Sequence, residues 1–188
     1  MTASLPPVRI GLVDMNAGVK NEAMRCLRAT IATFEGQLRA VWRDAVLEVV
    51  TVSPRDKLEK VPRDCDLYLS SGGPGSPFEA EGTEWMRDYG AFLDGIVEAH
   101  ERSPATAPGA MPICYSFELV VMHFRLAKLV KRPERKFGVM PQYTTALGAR
   151  HPLLHMFGDR VFAFEHRNWD AIDDDVLAFA RLGGAALA

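Results

Sequence analysis

The sequence predicts an α/β fold with a mainly parallel central sheet flanked by helices. Three observations predict it. Short β-branched apolar runs alternate with long amphipathic stretches over the first 130 residues. Runs such as "VRIGLVD" are apolar on both faces, as strands buried between two helical layers must be. Turn-forming residues follow each run, among them "MNAG", "SP" and "SSGGPGSP".

Taken in order, Val8–Asp14 reads as a buried strand. "NEAMRCLRATIATFEGQL" follows as a helix with Met24, Leu27, Ile31 and Phe34 on one face and Cys26 packed within it. Ala45–Ser53 is a second strand, ended by Pro54. Asp66–Ser70 is a third strand that runs into the Gly/Pro-rich loop Ser70–Pro77. "TEWMRDYGAFLDGIVEAHER" is a helix capped by Thr83, with Trp85, Tyr89, Phe92 and Ile96 as its apolar face. "MPIC" is a fourth short strand. "SFELVVMHFRLAKLV" is a helix with Phe117, Val120, Val121 and Phe124 inward. After Val130 the pattern changes. "RKFGVMPQYTTAL" and "DRVFAFEHRNWDAI" read as strands joined by "GARHPLLHMFG", and are expected as antiparallel additions at one sheet edge.

The 188 residues, 48% hydrophobic and 24% charged, suit a single domain over 1–188 with a full core. A net charge of −2 gives no nucleic-acid footprint, and the basic run "KLVKRPERK" is broken by Pro133 and Glu134. No apolar run approaches the ~18 residues of a membrane span. "MTASLPPVRI" lacks the plan of a signal peptide, so a cytoplasmic location is expected. Three irregularly spaced cysteines, Cys26, Cys65 and Cys114, read as free thiols. No Cys-x-x-Cys or His-Glu-x-x-His pattern suggests a metal, and no cofactor is expected.

In parallel α/β sheets, sites form where loops leave the C-terminal strand ends. Two loops there carry chemistry. Ser70–Pro77 is glycine-rich, so its backbone N–H groups can approach a ligand or a developing oxyanion. It is no P-loop, since no Gly-Lys-Ser/Thr follows. The second is Cys114 in "GAMPICYSFELV". A strand ending there, with a helix starting at once, sets the thiol near unpaired N–H groups that favour a thiolate. Ser116, two residues on, is small as a nucleophile elbow requires, but Pro112, two before, is no glycine. Local pattern leaves Cys114 open between a buried structural thiol and a nucleophile.

"LYLSSGGPGSP", "MPICYSFELV", "KFGVMPQYTTALGARHPLL" and "FAFEHRNWDAI" together, in this order and spacing, resemble the class I glutamine amidotransferase domain. The resemblance is closest to the group resembling the amidotransferase part of GMP synthase, and it covers essentially the whole chain. It implies a flavodoxin-like fold and hydrolysis of the glutamine side-chain amide. Cys114 would attack the amide carbon, release ammonia and form a thioester that water cleaves. It implies oxyanion donors at Tyr115 and in the glycine loop, Gly75 ahead of Gly73. It places Ser116 and Glu118 at substrate-binding positions, and it implies a synthetase partner that receives the ammonia.

Three departures from the family pattern stand out. Pro112 and Ser116 replace two glycines around Cys114. Glu118 replaces a glutamine that contacts the amino-acid end of the substrate; its carboxylate repels the substrate's own and favours an ammonium group. As a plain alternative, Glu118 sits in a first helical turn where negative charge suits the dipole. Third, the family's terminal His-Pro-Glu is absent, and His151-Pro152-Leu153 comes too early and lacks the acid. The chain therefore reads as incomplete at its C-terminus relative to the family, or as naturally compromised. His166 is the one substitute base, in a segment that in the family precedes the base; a structural role or one lining the cleft mouth is its alternative, and Asp170 orients it only if the loop folds back. The expected function is glutamine hydrolysis for a synthetase. The alternatives are a non-hydrolytic binding or regulatory subunit, and an amidase for another γ-glutamyl-type compound.

Overall fold

The structure, a computed structural model, describes residues 6–185 and Leu187. Residues 1–5, on which part of the signal-peptide reading rests, lie outside the described residues, as do residues 186 and 188. Two compact units are distinguished, one up to Val120 and one from Val121.

The first unit is built on four parallel strands: β1 (Val8–Val13), β2 (Leu47–Val52), β3 (Leu67–Ser70) and β4 (Gly109–Pro112). Their order is β2-β1-β3-β4, so β1 and β3 are central and the chain reverses direction across the sheet between them. Val13 pairs with Ser70, and Ser70 with Pro112. The loops that begin at Asp14, Ser71 and Ile113 therefore leave the sheet side by side. Pro112 is tolerated in a strand because β4 is an edge, where a missing N–H leaves no inner ladder broken.

Helix α1 (Glu22–Val41) starts at Asn21, whose side chain accepts the Ala23 N–H at 2.9 Å. Such a cap is worth about 1 kcal/mol. Met24 and Ile31 pack with Ile10, Leu12 and Leu69 on one face of the sheet, and Leu27, Leu47 and Leu67 border that cluster. Each fully buried side chain of this size contributes about 1.5–3 kcal/mol. Leu38 continues the buried stripe, whereas Phe34 lies at its margin and is exposed. Cys26 is also exposed, which corrects the packed position expected for it. Because side chains alternate along β3, Tyr68 and Ser70 point to the opposite face. There they meet α3 (Glu84–Arg102): the Tyr68 and Phe92 rings lie 4.8 Å apart, and Tyr89 donates to the Ser70 hydroxyl at 3.1 Å. Helices thus cover both faces, as the pattern predicts. Thr83 stands at the N-cap of α3 but makes no side-chain cap; its hydroxyl donates to the Ala80 carbonyl of a preceding 3₁₀ turn, Pro77–Ala80. A short helix, α2 (Pro54–Lys57), directly follows β2.

Helix α4 (Tyr115–Phe124) is shorter than its apolar pattern suggests. Arg125 takes a left-handed φ of 54°, and the Leu126 N–H reaches back to the Val121 carbonyl at 3.0 Å, closing the helix with the buried Leu126. Lys128–Val130, expected as helix, open a strand instead. The buried positions of α4 include Tyr115, Ser116, Leu119 and Val121, while Phe117 is exposed, so the inward face is rotated from the one expected.

The second unit is dominated by β5 (Lys128–Tyr143) antiparallel to β6 (Arg160–Ile172), followed by α5 (Val176–Arg181). The antiparallel pair is present as expected, as a two-stranded sheet. A bulge interrupts its register between Lys131 and Lys136, where Pro133 has no N–H to donate. One face carries ion pairs: Glu165 with Lys136 at 3.1 Å and with Arg167 at 2.7 Å, and Asp170 with Arg132. The other presents Phe137, Val139, Tyr143, Phe162 and Phe164, all exposed. Among the described residues, no helix is long and apolar enough to cross a membrane.

Candidate active site

The loop after β4 is short. Ile113 donates to the Ser70 carbonyl at 3.0 Å, continuing the sheet for one residue, and α4 begins at Tyr115. Cys114 alone must turn the chain, and it does so at φ 54°, in the left-handed region that a residue with a Cβ rarely adopts. The Glu118 N–H donates to the Cys114 carbonyl at 2.9 Å, which makes Cys114 the residue from which α4 starts. A strained turn between a parallel strand and a helix, with the cysteine exposed, is the geometry of a nucleophile elbow.

Ser116 and Gly72 hold this turn. Ser116 is fully buried; its hydroxyl lies 3.0 Å from the Ser70 carbonyl, 2.5 Å from the Ser71 carbonyl and 3.1 Å from that of Ile113. It is therefore engaged with the backbone that supports Cys114. Tyr89, beneath, hydrogen-bonds to Ser70; burial pushes its hydroxyl up to about 12, against the pull of its hydrogen bonds to Ser70 and Ser116. At Gly72 an added Cβ would lie 3.0 Å from the Cys114 Cβ and 3.4 Å from its Sγ. A small residue against the Cys114 side chain thus comes from the neighbouring loop.

The glycine loop is equally constrained. A Cβ at Gly73 would fall 2.0 Å from the Met15 carbonyl oxygen, so its backbone rests directly on the loop after β1. Ser71, fully buried, accepts the Met15 N–H at 2.9 Å and donates to the Gly72 carbonyl at 2.8 Å. Gly75 adopts φ 99°, available to glycine and strained for other residues.

Arg55, on α2, joins these loops. Its Nη1 donates to the Met15 carbonyl at 2.7 Å and to the Pro74 carbonyl at 2.9 Å. Its guanidinium lies 4.1 Å from the centre of the Tyr115 ring. Tyr115 is buried, which pushes its hydroxyl up; the Arg55 cation pulls it down, and Glu118 and Glu79 add to the rise. Glu118 is half-buried in the first turn of α4. Neither Arg55 nor Gly72 is singled out by sequence reasoning. For Arg55 a signal exists: a cationic residue directly after the C-terminal end of a parallel strand, the same edge as the two loops that are singled out.

Two glutamine amidotransferases are among the solved structures that match with probability 1.00. One is a glutamine amidotransferase from Thermotoga maritima, at 14% identity and a TM-score of 0.59, covering 89% of this chain and 64% of that one. The other is a glutamine amidotransferase from Methylobacillus flagellatus, at 15% identity and a TM-score of 0.56, covering 90% and 59%. The chain carries a class I glutamine amidotransferase-like fold. It spans about three-fifths of the length of these matched structures. No protein-family model and no curated protein sequence matches it.

Within this amidotransferase-like fold the elements of the first unit bring Cys114, Tyr115, Ser116, Glu118 and the glycine loop to one sheet edge. His100 is the first unit's one histidine. It contacts the Pro108 carbonyl at 3.2 Å, before β4 begins and so at the end of the strand away from Cys114. His166 belongs to the second unit, exposed on β6, with Arg135 Nη1 3.3 Å from its Nε2 and its ring 5.4 Å from that of Phe137. Asp170 is paired with Arg132 and, at 3.6 Å, with Arg167, so its carboxylate is engaged by arginines. His151 and His155 lie in and beside 3₁₀ turns of the β5–β6 connection.

Proposed function

We propose that the chain hydrolyses the side-chain amide of glutamine, or of a closely related γ-glutamyl compound, through a Cys114 thioester. The observation that carries this reading is the strained, exposed Cys114 at the start of α4, packed against Gly72 on an amidotransferase-like fold. The thiolate attacks the amide carbon, the carbonyl electrons move to oxygen, and the C–N bond breaks with ammonia leaving as it gains a proton. Water then cleaves the thioester to glutamate. The Tyr115 and Gly75 N–H groups are the proposed oxyanion donors, Gly73 being the loop's alternative. Ammonia passes to a partner synthetase in the cytoplasm. Residues 1–188 act as one amidotransferase-like domain.

The test is release of ammonia and glutamate from glutamine, with and without a candidate synthetase. Cys114→Ala is expected to lower the rate about a thousandfold or more, since the residual rate of such a site comes from binding and the oxyanion donors alone. No release by the wild-type chain under either condition overturns the reading.

A second reading is favoured by one observation: His100, the one histidine of the first unit, lies at the wrong strand end to deprotonate Cys114. On that reading the chain is a binding or regulatory module. Partner binding in a pull-down or titration then survives Cys114→Ala with no enzymatic activity lost. Glu118→Gln separates the substrate alternatives: faster glutamine turnover marks Glu118 as selecting a compound with an amine in place of the substrate carboxylate.

A further inference from the structure

Arg55 touches the loops after β1 and β3 and the start of α4, all at the C-terminal edge of the parallel sheet. Its two Nη1 hydrogens meet the Met15 carbonyl after β1 and the Pro74 carbonyl after β3, at 2.7 and 2.9 Å. Its flat face lies over Tyr115, the residue after Cys114, at 4.1 Å, and Trp85 flanks it at 5.9 Å. The fork geometry of a guanidinium serves both carbonyls while stacking, which an ammonium group does not.

The peptide bond between Pro74 and Gly75 is planar and trans, so its C=O and N–H point in opposite directions. Whatever holds the Pro74 oxygen therefore aims the Gly75 N–H. Gly75 has no side chain to resist rotation of that peptide, and its φ of 99° lies where glycine moves freely. Arg55 supplies the missing restraint. We infer that Arg55 is a positioning residue that directs the Gly75 N–H by gripping the Pro74 carbonyl against the Met15 loop. This rests on the reading above of Gly75 as an oxyanion donor.

A donor aimed at a developing oxyanion acts on the transition state and little on the ground state. Loss of Arg55 should therefore slow acylation of Cys114 and leave simple alkylation of the same thiol unchanged. Alkylation by iodoacetamide is a displacement at a CH₂ carbon in which iodide leaves and no oxyanion forms. Acylation by 4-nitrophenyl acetate passes through one: Sγ bonds to the carbonyl carbon, the C–O bond breaks, and 4-nitrophenolate leaves with the electron pair.

The experiment uses the full chain carrying Cys26→Ser, which removes the other exposed thiol, with Cys114→Ala as the blank. Arg55→Ala is expected to slow the 4-nitrophenolate burst about tenfold to a hundredfold, somewhat less than deleting a donor outright, with iodoacetamide alkylation within about twofold. Arg55→Lys, which keeps the charge and one carbonyl contact, is expected to fall between the two and serves if Arg55→Ala does not fold. Equal slowing of both reactions, or of neither, overturns the inference, as does the absence of any burst above the blank in the parent. In glutamine hydrolysis the same variants should lower kcat and leave KM nearly unchanged. If the parent releases no ammonia from glutamine while the acylation-to-alkylation ratio still drops, the glutamine reading fails and the role of Arg55 stands.

Discussion

The C-terminal edge of the parallel sheet and the β5–β6 ribbon place their chemical groups in contrasting ways. At the sheet edge, the loops pack so closely that Gly73 has no room for a Cβ and Gly72 little, and a cysteine is held at a left-handed φ. On the ribbon, His166 stands on an open strand face among exposed aromatics, with its hydrogen-bond partner another exposed side chain, Arg135. A side chain held by backbone over-determination keeps its geometry, whereas a histidine on an open strand face has no such frame. The difference teaches that the Cys114 edge is built for precise placement, and that the ribbon's charge network, not its histidine, is what the second unit organises.

The comparison breaks most directly at Gly73. Gly73→Ala sets a methyl 2.0 Å from the Met15 carbonyl oxygen, where no flexible side chain can move aside. It should cost about 3 kcal/mol of stability in urea denaturation. Gly72→Ala meets the Cys114 side chain at 3.0 Å and should cost about half as much while slowing alkylation of Cys114.

A pH effect close in size to that of Gly73→Ala comes from beneath the elbow. Burial raises Tyr89 to about 12 from an ordinary value near 10, so the folded chain keeps a proton that the unfolded chain loses. That stabilisation is complete below pH 10 and disappears as pH climbs through about 12, a loss of about 2–3 kcal/mol. Denaturation at pH 8 to 11.5 should show the decline, and Tyr89→Phe should flatten it. An unchanged slope in the variant would assign the effect to other groups.

The smallest effect is expected on the ribbon. His166→Ala should change stability by less than about 0.5 kcal/mol, as at other exposed sites, and glutamine hydrolysis by less than about twofold. A fall of about 10²–10⁴-fold with stability unchanged would instead make His166 the general base and reverse the contrast between the two regions.

Much of the fold is legible in the residues. The strands around Ile10, Val49, Leu69 and Met111 follow from apolar, β-branched runs between turn residues. The buried stripe Met24–Ile31–Leu38 follows from helical period. The misreadings have local causes. The apolar content of "RLAKLV" fits helix and strand alike, and a left-handed Arg125, which no helix propensity announces, decides for strand. Phe117 is apolar yet exposed, because Tyr115, Ser116 and Leu119 take the inward positions of α4.

For the candidate site, the chain alone determined which chemical groups are available: a thiol between strand and helix, a glycine-rich loop at the next strand end, a carboxylate one turn further on. Those are properties of order along the chain. Tertiary structure decided which of them meet. Parallel pairing in the order β2-β1-β3-β4 sets the ends of β1, β3 and β4 side by side, and only then does Gly72 face Cys114, Ser116 reach the carbonyls of Ser70 and Ser71, and Arg55 span Met15 and Pro74. These contacts link residues 19 to 46 positions apart through spaces of a single methyl group or hydrogen bond, distances that strand register specifies and that residue order does not.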